Sequence, residues 1–384
     1  MQEIGEADIK YPKIKLTKIA FGSCHKNKVA LFNASSNNNK GNIWEVISKK
    51  IQPQSFLWLG DAIYSPNKKE SISPIHVLKN EYDNLIHNAT IGYRDFLHHH
   101  DNDDTIMTSS SSASSSSSLD TLSSIHGTHD DHDYGGNDYG NQMPNKDERK
   151  EIFLDFLKAS NEEIVANRMK KNIDKHEKEE EEEKNRLNSL YHKIRSRDGV
   201  YSSIEYGSFP HKVKVILLDT RSGRDNHCPI PSIGAINLPL HLGSPLACVS
   251  RWIIAGLNIQ RYFEKCQNIK MLSEDQWTWL EQQLSYNDHS SKDDDVALYL
   301  IGSSIQVLTT NPALESWGHY PEERFRLLQL LNNNVRKGAA VVILSGDVHH
   351  GELLDSSTGL RLNGNWKEGD GRIIEVTTSG LTHS

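Results

Sequence analysis

Residues 125–140 read IHGTHDDHDYGGNDYG and carry a dense set of ionisable side chains. They include Asp130, Asp131, His132, Asp133 and Asp138, and glycines lie between and around them. Such residues do not build an apolar core, and the burial of unpaired carboxylates is strongly unfavourable. A di- or trivalent cation removes that cost, because carboxylate oxygens and imidazole nitrogens are its ligands. The stretch is therefore either a metal-binding loop or a solvated acidic loop.

Length and composition narrow the class of protein. A chain of 384 residues is long enough for one large α/β domain with insertions, or for two domains. The formal net charge of -8 argues against a nucleic-acid-binding face, which is normally basic. No apolar run is long enough to span a membrane, and residues 1–15 lack the apolar segment of a signal peptide. These features leave the localisation open.

The cysteines give little sign of a covalent framework. Cys24, Cys228, Cys248 and Cys266 are widely spaced and form no CxxC pair. This spacing disfavours a structural zinc site and does not suggest a disulfide scaffold. Cys24 differs from the others because it follows a strand-like run directly.

Several apolar, strand-like runs end in residues that can bind metal. The runs and the residues that follow them are Ile14–Phe21 with Cys24, Ser55–Leu59 with Asp61 and Tyr64, and Ala340–Leu344 with Asp347 and His349. Open α/β folds place their sites at the carboxyl ends of such strands. Thiolate, carboxylate, phenolate and imidazole together indicate a harder, oxidised ion such as Fe(III) beside a divalent ion. With the 125–140 stretch, this pattern favours a metal centre over a solvated loop.

Other periodic segments predict further elements. We predict helices over 44–51, 82–97, 146–165, 272–284 and 321–331, and strands over 200–205, 213–219, 296–308 and 373–378. Ser273 is the expected N-cap of the 272–284 helix. Arg221 follows the 213–219 strand, where its guanidinium either contacts an anionic substrate or pairs with Asp219 or Asp225.

Three segments read as insertions into the domain. Residues 98–124 are rich in serine and are predicted to be disordered. Residues 166–196 are highly charged and are predicted to be a solvated insertion rather than a docking helix. Residues 226–268 are predicted to be irregular, as an insertion or a lid. The chain stops soon after a strand-like run, from which we expect a natural protein that continues beyond Ser384.

The motifs together resemble a known family. The segments FGSC, LGDAIY, DDHDYGGND, LLDTRSGR, QWTWLEQQL, GSSIQVL, ESWGHYPEER, LSGDVHHGE and TSGLTHS occur in that order between residues 21 and 384. They resemble the calcineurin-like metallophosphoesterases and, within them, the alkaline phosphatase D (PhoD-like) family. The resemblance implies one domain over residues 14–384. It also implies a two-sheet αββα sandwich with its metals at the strand ends.

The resemblance assigns metal ligands residue by residue. Gly60-Asp61 matches a Gly-Asp pair whose Asp bridges two metals, and Tyr64 matches a tyrosine that binds Fe(III) in a variant of the site. Cys24 stands where the wider superfamily has its first Asp and is expected to bind the ferric ion. Asp131 is expected to bind the second metal. In 346–349, which resembles Gly-His-x-His, Asp347 replaces the first histidine and precedes His349.

The sequence departs from the superfamily in one loop. Residues 302–306 contain no histidine, although many superfamily members supply a metal ligand there. The second metal site is then rich in oxygen ligands, which favours Ca(II) over Zn(II).

The implied activity is hydrolysis of phosphoric esters by a hydroxide held at a dinuclear or larger metal centre. His132 is expected to lie nearest the phosphate and to protonate the leaving group, with Arg221 or Asn137 steadying the phosphate oxygens. Two alternatives remain. One is a phosphodiesterase acting on a nucleotide, lipid or polymer, and the other is a catalytically weak scaffold. Members of the family are often secreted or membrane-associated.

Overall fold

A computed structural model describes most of the chain. The described residues are 6–26, 42–66, 72–98, 122–171, 177–228, 249–254, 257, 262–266, 268–285, 295–335, 338–356 and 373–382. They form one seven-stranded sheet and one three-stranded sheet with helices. The predicted α/β fold with two sheets is confirmed.

The ten strands of the described residues divide unequally between the sheets. In chain order they are β1 (Ile9–Tyr11), β2 (Ile19–Gly22), β3 (Ser55–Leu59), β4 (Ser124–Thr128), β5 (Ser202–Tyr206), β6 (Val213–Leu217), β7 (Leu298–Ser303), β8 (Ala340–Ser345), β9 (Gly351–Asp355) and β10 (Ile374–Thr378). The large sheet has the order β1-β5-β6-β7-β8-β10-β9, and the small sheet is β2-β3-β4. The small sheet and the β6-β7-β8-β10 centre of the large sheet are parallel. Parallel pairing brings the carboxyl ends of neighbouring strands to one edge.

The two sheets share an apolar core. Leu57 and Leu59 of β3 belong to the same buried cluster as Leu217 of β6 and Leu344 of β8. All five residues of β3 are buried, as its uninterrupted apolar sequence predicts for a strand covered on both faces.

Helices cover the outer face of each sheet. The main helices are Ile43–Val46 with a π-helical turn at Ile47–Ile51, Ile75–His87, Tyr93–Leu97, Asp131–Tyr134, Lys146–Lys171, Glu177–Arg195, Glu274–Leu284 and Pro321–Val335. Phe153 and Leu190 join the core cluster that contains the small sheet. Trp277 and Leu328 pack in a second cluster with Ile301 of β7. The layers therefore follow the order helix, sheet, sheet, helix.

Several element boundaries differ from the sequence-based predictions. The predicted strand over 14–21 begins only at Ile19. The predicted helix over 82–97 is two helices, and Gly92 adopts a φ of +83° between them. Ser273 caps the Glu274–Leu284 helix as predicted, since its hydroxyl accepts a hydrogen bond from Gln276 N at 3.1 Å.

The charged segment is not solvated throughout, contrary to prediction. The Glu177–Arg195 helix buries four apolar side chains on one face, at helical spacing. They are Leu187, Leu190, Tyr191 and Ile194. The run of glutamates draws attention to the polar face, but the second half of this helix belongs to the core.

The other two predicted insertions lie partly outside the described residues. Of the serine-rich segment, residues 99–121 are outside them. Of the 226–268 segment, residues 229–248 are outside them, and 249–254 are helical. Cys228 and Cys266 form a disulfide, which the cysteine spacing did not suggest. In the described part of the chain, no helix is both long and apolar enough to cross a membrane.

Candidate metal centre

Four strands deliver the candidate ligands to one edge of the sandwich. Cys24 follows β2, Asp61 follows β3, Asp131 follows β4, and Asp347 follows β8. At this edge, three groups of potential ligand atoms in the described residues each have their atoms within 4.8 Å of one another. They are Cys24–Asp61–His349, Asp61–Asp131–His132 and Asp61–Asp130–Asp347. Asp61 is common to all three, so it is the hub of the site.

The backbone at this edge is strained. Cys24, Asp61, Asp347 and His349 have φ values of 57°, 52°, 69° and 58°, although none is glycine. L-residues rarely adopt this left-handed region, and such strain clusters at functional sites. Each of the four lies shortly after the end of a strand, so the turns that follow the strands direct polar side chains into the cluster.

Gly60 allows the closest approach in the site. Its φ is +90°, and a Cβ atom there would lie 2.2 Å from Cβ of Asp130. Only glycine fits such a contact. The Gly-Asp pair therefore serves two purposes: Gly60 makes room for Asp130, and Asp61 supplies the central carboxylate.

Asp61 is surrounded by donors and potential ligands. The Tyr64 hydroxyl donates to Asp61 Oδ2 at 2.6 Å, and the His132 backbone N–H donates to Oδ1 at 3.2 Å. Cys24 Sγ lies 3.6 Å from Oδ2. The Tyr64 hydroxyl also lies 3.2 Å from His349 Nε2. The sequence-predicted residues Cys24, Asp61, Tyr64 and His349 are therefore brought together.

The electrostatics of this cluster favour protonated acids when no cation is bound. Burial, followed by repulsion from Asp131 and Asp130, raises the pKa of Asp61 well above its ordinary value. Burial and the same two carboxylates raise the pKa of Asp347. Burial, with Asp61 nearby, also raises the pKa of the Cys24 thiol. A multivalent cation would reverse these shifts, because it stabilises every anionic form at once.

Two carboxylate oxygens show that the residues fit a cation. Asp130 Oδ2 and Asp131 Oδ1 are buried and have no hydrogen-bond partner within the described part of the chain. The other oxygen of each is held, since Asp131 Oδ2 accepts the Asp138 N–H at 2.9 Å and Asp130 Oδ1 accepts Ser304 Oγ at 2.9 Å. A buried carboxylate oxygen without a donor is costly, and a metal ion supplies the missing positive charge.

A family match accompanies this geometry. A family model described as PhoD-like phosphatase matches residues 20–384. The chain belongs to the PhoD-like phosphatase family. Membership supports a phosphoesterase function with a phosphate ester as substrate, in a family that depends on metal ions. No curated protein and no solved structure matches the chain.

Asp133 of the PhoD-like motif has a structural role. Its carboxylate accepts hydrogen bonds from Ala62 N at 3.0 Å, Tyr82 Oη at 2.8 Å and Asp130 N at 3.0 Å. It therefore ties the loop after β3 to the start of the Asp131–Tyr134 helix. Burial raises its pKa to about 6 even with these donors.

The guanidinium of Arg221 is directed at carboxylates. Its Nε donates to Asp130 Oδ1 at 2.6 Å, and its terminal nitrogens donate to the two Glu315 oxygens at 2.9 and 3.1 Å. The side chain is fully buried against these partners, and its contact with substrate oxygens stays a prediction. The alternative prediction, that the Arg221 guanidinium pairs with a carboxylate, is right. Its partners, however, are Asp130 and Glu315 and not the predicted Asp219 or Asp225. From Arg221, Asp219 accepts the backbone N–H at 2.8 Å and no hydrogen bond of the guanidinium, and Asp225 accepts from Asn141 and Lys270.

The two remaining predicted residues lie on or after the Asp131–Tyr134 helix. His132 is partly exposed, and its ring centre lies 4.2 Å from that of Tyr64. Its partial exposure puts it where the candidate site opens to solvent. Asn137 is half-buried in the turn after the helix, five residues beyond His132.

Sequence reasoning missed two contributors to the PhoD-like site. Asp130 was assigned no separate role, yet it joins Asp61 and Asp347 in one candidate group. Glu315 was read only as part of the ESWGHY motif, yet it is buried and binds Arg221. The sequence contains one signal for this contact. The LLDTRSGR and ESWGHY segments both carry charged residues, and such residues can be buried together only if they pair.

Proposed function

We propose that the protein hydrolyses phosphoric esters at a centre of two or more metal ions grouped around Asp61. The observation that carries this proposal is the pair of buried oxygens on Asp130 and Asp131, beside Asp61, that lack a hydrogen-bond donor among the described residues. Membership of the PhoD-like phosphatase family supports the reaction class. The proposal adds the ligands and their division between the ions.

The donor chemistry suggests two unlike halves. Cys24 groups with Asp61 and His349, and the Tyr64 hydroxyl contacts both Asp61 and His349, so this half would suit Fe(III), which accepts thiolate, phenolate and carboxylate. Asp130, Asp131 and Asp347 group with Asp61 on the other half and would form an oxygen-rich position that suits Ca(II). When bound, the ions supply Lewis acidity, neutralise phosphate charge and lower the pKa of coordinated water.

The residues of the chain position and protonate the substrate. His132 is held through its backbone N–H on Asp61 and its ring against Tyr64. Because its side chain is partly exposed at the opening, it can donate a proton to the departing alkoxide oxygen. Asn137, in the turn that follows, would donate its amide N–H to a phosphate oxygen. Arg221 acts behind the site, where it neutralises Asp130.

One assay set tests this proposal and separates it from its alternatives. Metal content is measured by mass spectrometry, and turnover is measured on p-nitrophenyl phosphate and on bis-p-nitrophenyl phosphate. We expect bound iron and calcium with turnover of at least one ester, and the ratio of the two rates decides between a monoesterase and a diesterase. A protein that binds metal but turns over neither ester would favour the non-catalytic scaffold. A protein without bound metal would overturn the proposed centre.

A further inference from the structure

We propose that Glu315 is a positioning residue for the metal centre, acting through Arg221 on Asp130. The inference rests on the proposed function, because it concerns the cations that Asp130 would help to hold. Glu315 lies just before the Trp317–His319 turn, far along the chain from the Asp131–Tyr134 helix. Only 3% of its surface is exposed.

The contacts form a continuous chain from Glu315 to the site. Both Glu315 oxygens accept hydrogen bonds from the terminal nitrogens of Arg221, in a forked arrangement. Arg221 Nε then donates to Asp130 Oδ1 at 2.6 Å. A planar guanidinium held at both ends cannot rotate, so Glu315 fixes the orientation of the group that holds Asp130.

The orientation of Asp130 follows from this arrangement. Its Oδ1 takes donors from Arg221 and from Ser304, whose Oγ lies 2.9 Å away. Its Oδ2 is left without a donor in the described residues and belongs to the group with Asp61 and Asp347. The donors on Oδ1 thereby direct Oδ2 toward the candidate cation position.

Charge gives Glu315 a second effect. Arg221 is fully buried, and without Glu315 its positive charge would be balanced mainly by Asp130. Arg224 is also fully buried and forms an ion pair with Glu315. Loss of the Glu315 charge would leave two buried guanidiniums beside the centre with less compensation, and this opposes cation binding.

The arginines also argue against Glu315 as a metal ligand. Asp138, His227 and Glu315 form a further group with ligand atoms within 4.8 Å. Their carboxylates are already paired, with Arg251 on Asp138 at 3.1 Å and with Arg221 on Glu315. A cation there would meet buried positive charge, whereas the Asp61 group has carboxylates in excess.

The test measures Mn(II) binding by the metal-depleted protein, with free Mn(II) quantified by electron paramagnetic resonance. Mn(II) suits carboxylate oxygens. The variants are E315Q, which keeps shape and removes charge, and E315D, which keeps charge and shortens the side chain. The matched control is E375Q. Glu375 is also a buried carboxylate, but it accepts the backbone N–H groups of Val307 and Leu308. Circular dichroism confirms folding.

We expect E315Q to raise the Mn(II) Kd by about 10-fold or more, as for other groups that orient metal ligands. E315D should lie closer to wild type, although it fits less well, and E375Q should lower the melting temperature without changing the Kd. A purely structural role predicts the reverse order, with the isosteric E315Q tolerated better than E315D.

An unchanged Kd in E315Q, or an equal rise in E375Q, would overturn the role of Glu315. If E315Q does not fold, R221K replaces it, because lysine cannot bridge both carboxylates. An unchanged Kd in R221K would likewise overturn the proposal. Wild-type protein that binds no Mn(II) would instead contradict the proposed metal centre.

Discussion

Two buried clusters of acidic residues lie side by side in this molecule, and they solve the same electrostatic problem differently. In the first cluster, Asp138 is paired with Arg251 and Glu315 is paired with Arg221. Around Asp61, carboxylates face one another and a thiol; Tyr64 and backbone groups donate to Asp61 itself, and a single guanidinium, that of Arg221, reaches the group through Asp130. The first cluster is neutralised by the chain itself. In the proposed function, cations would neutralise the second cluster, and this difference distinguishes a supporting cluster from a candidate catalytic one.

The largest expected effect comes from removing the hub of the second cluster. Asp61→Ala should lower ester hydrolysis by more than ~10³-fold, since the loss of one preorganised electrostatic group already costs that much. Bound metal should fall as well, because Asp61 belongs to three candidate groups. Turnover and metal content are measured together. Near-wild-type values of both would remove the distinction between the clusters.

Which strands could be predicted from the sequence depends on how far apart in the chain their interacting residues lie. Ser55–Leu59 was predicted with its observed bounds, because an apolar run between polar ends is a local signal. β9 was missed, because it is partly exposed and is defined by antiparallel pairing with β10. The short β1 was missed for a similar reason, since it pairs with β5, nearly 200 positions away in sequence (Ile9 with Ile204).

The candidate site likewise contains residues that a local pattern predicts and contacts that depend on residues far apart in the chain. Cys24, Asp61, Asp347 and His349 were identified because each follows a strand, and parallel strands end at one edge. The ion pair of Arg221 with Glu315 joins residues 94 positions apart, and no local pattern encodes it. Sequence therefore predicts the candidate ligands but does not show which carboxylates the arginines neutralise.

The next largest effect is expected for Cys24, whose sulfur lies 3.6 Å from Asp61 Oδ2. If Cys24 is a thiolate ligand to Fe(III), Cys24→Ser should shift or bleach a visible charge-transfer band and lower turnover by orders of magnitude while the fold survives. Burial and nearby Asp61 raise the pKa of this thiol, so only a bound cation would keep it ionised. Visible spectra, iron content and rates are compared.

Cys228→Ser is the control for this substitution, because Cys228 is bonded to Cys266 and belongs to none of the candidate groups. Its spectrum should match that of the wild type. An unchanged spectrum and rate in Cys24→Ser would rule out the ferric thiolate. A divalent pair held by Asp61, Asp131, Asp347 and His349 would then be the better description.

A direct contrast between the clusters uses one amide substitution in each. Asp131→Asn should weaken divalent metal binding by about 10- to 100-fold, because it removes charge from an oxygen without a protein donor. Asp138→Asn should leave Arg251 poorly compensated and cost about 3 kcal/mol of unfolding free energy. Metal titration and chemical denaturation are run on both. Equal effects on metal affinity would mean that the two clusters are one site.

The smallest effect is a pH dependence of the metal-free protein. Burial and neighbouring carboxylates raise the pKa values of Asp61 and Asp347, so the folded protein holds protons that the unfolded chain releases above about pH 4. That stabilisation is complete below the unfolded value and is lost as pH rises through the raised values. The melting temperature of chelator-treated protein should therefore fall with rising pH, and added Ca(II) should flatten the slope.

Buried histidines limit the useful pH range of this experiment. Burial lowers the pKa of His25 to about 4 and that of His126 to about 3. Their contribution to stability rises with pH and is complete above the unfolded value of about 6.5. Measurements between about pH 7 and pH 9 avoid this opposing effect. Asp61→Asn is the control, and a slope equal to that of the wild type would contradict the assignment to Asp61.

The most direct test of the account is a crystal structure of the metal-loaded protein, with anomalous scattering measured at the iron edge and at a wavelength sensitive to calcium. We expect at least two anomalous peaks within about 2.6 Å of ligand atoms in the Asp61 group. We expect no peak between Asp138, His227 and Glu315, where arginines provide the positive charge. A metal in that second cluster, or a metal-loaded protein with none at Asp61, would contradict the central claim.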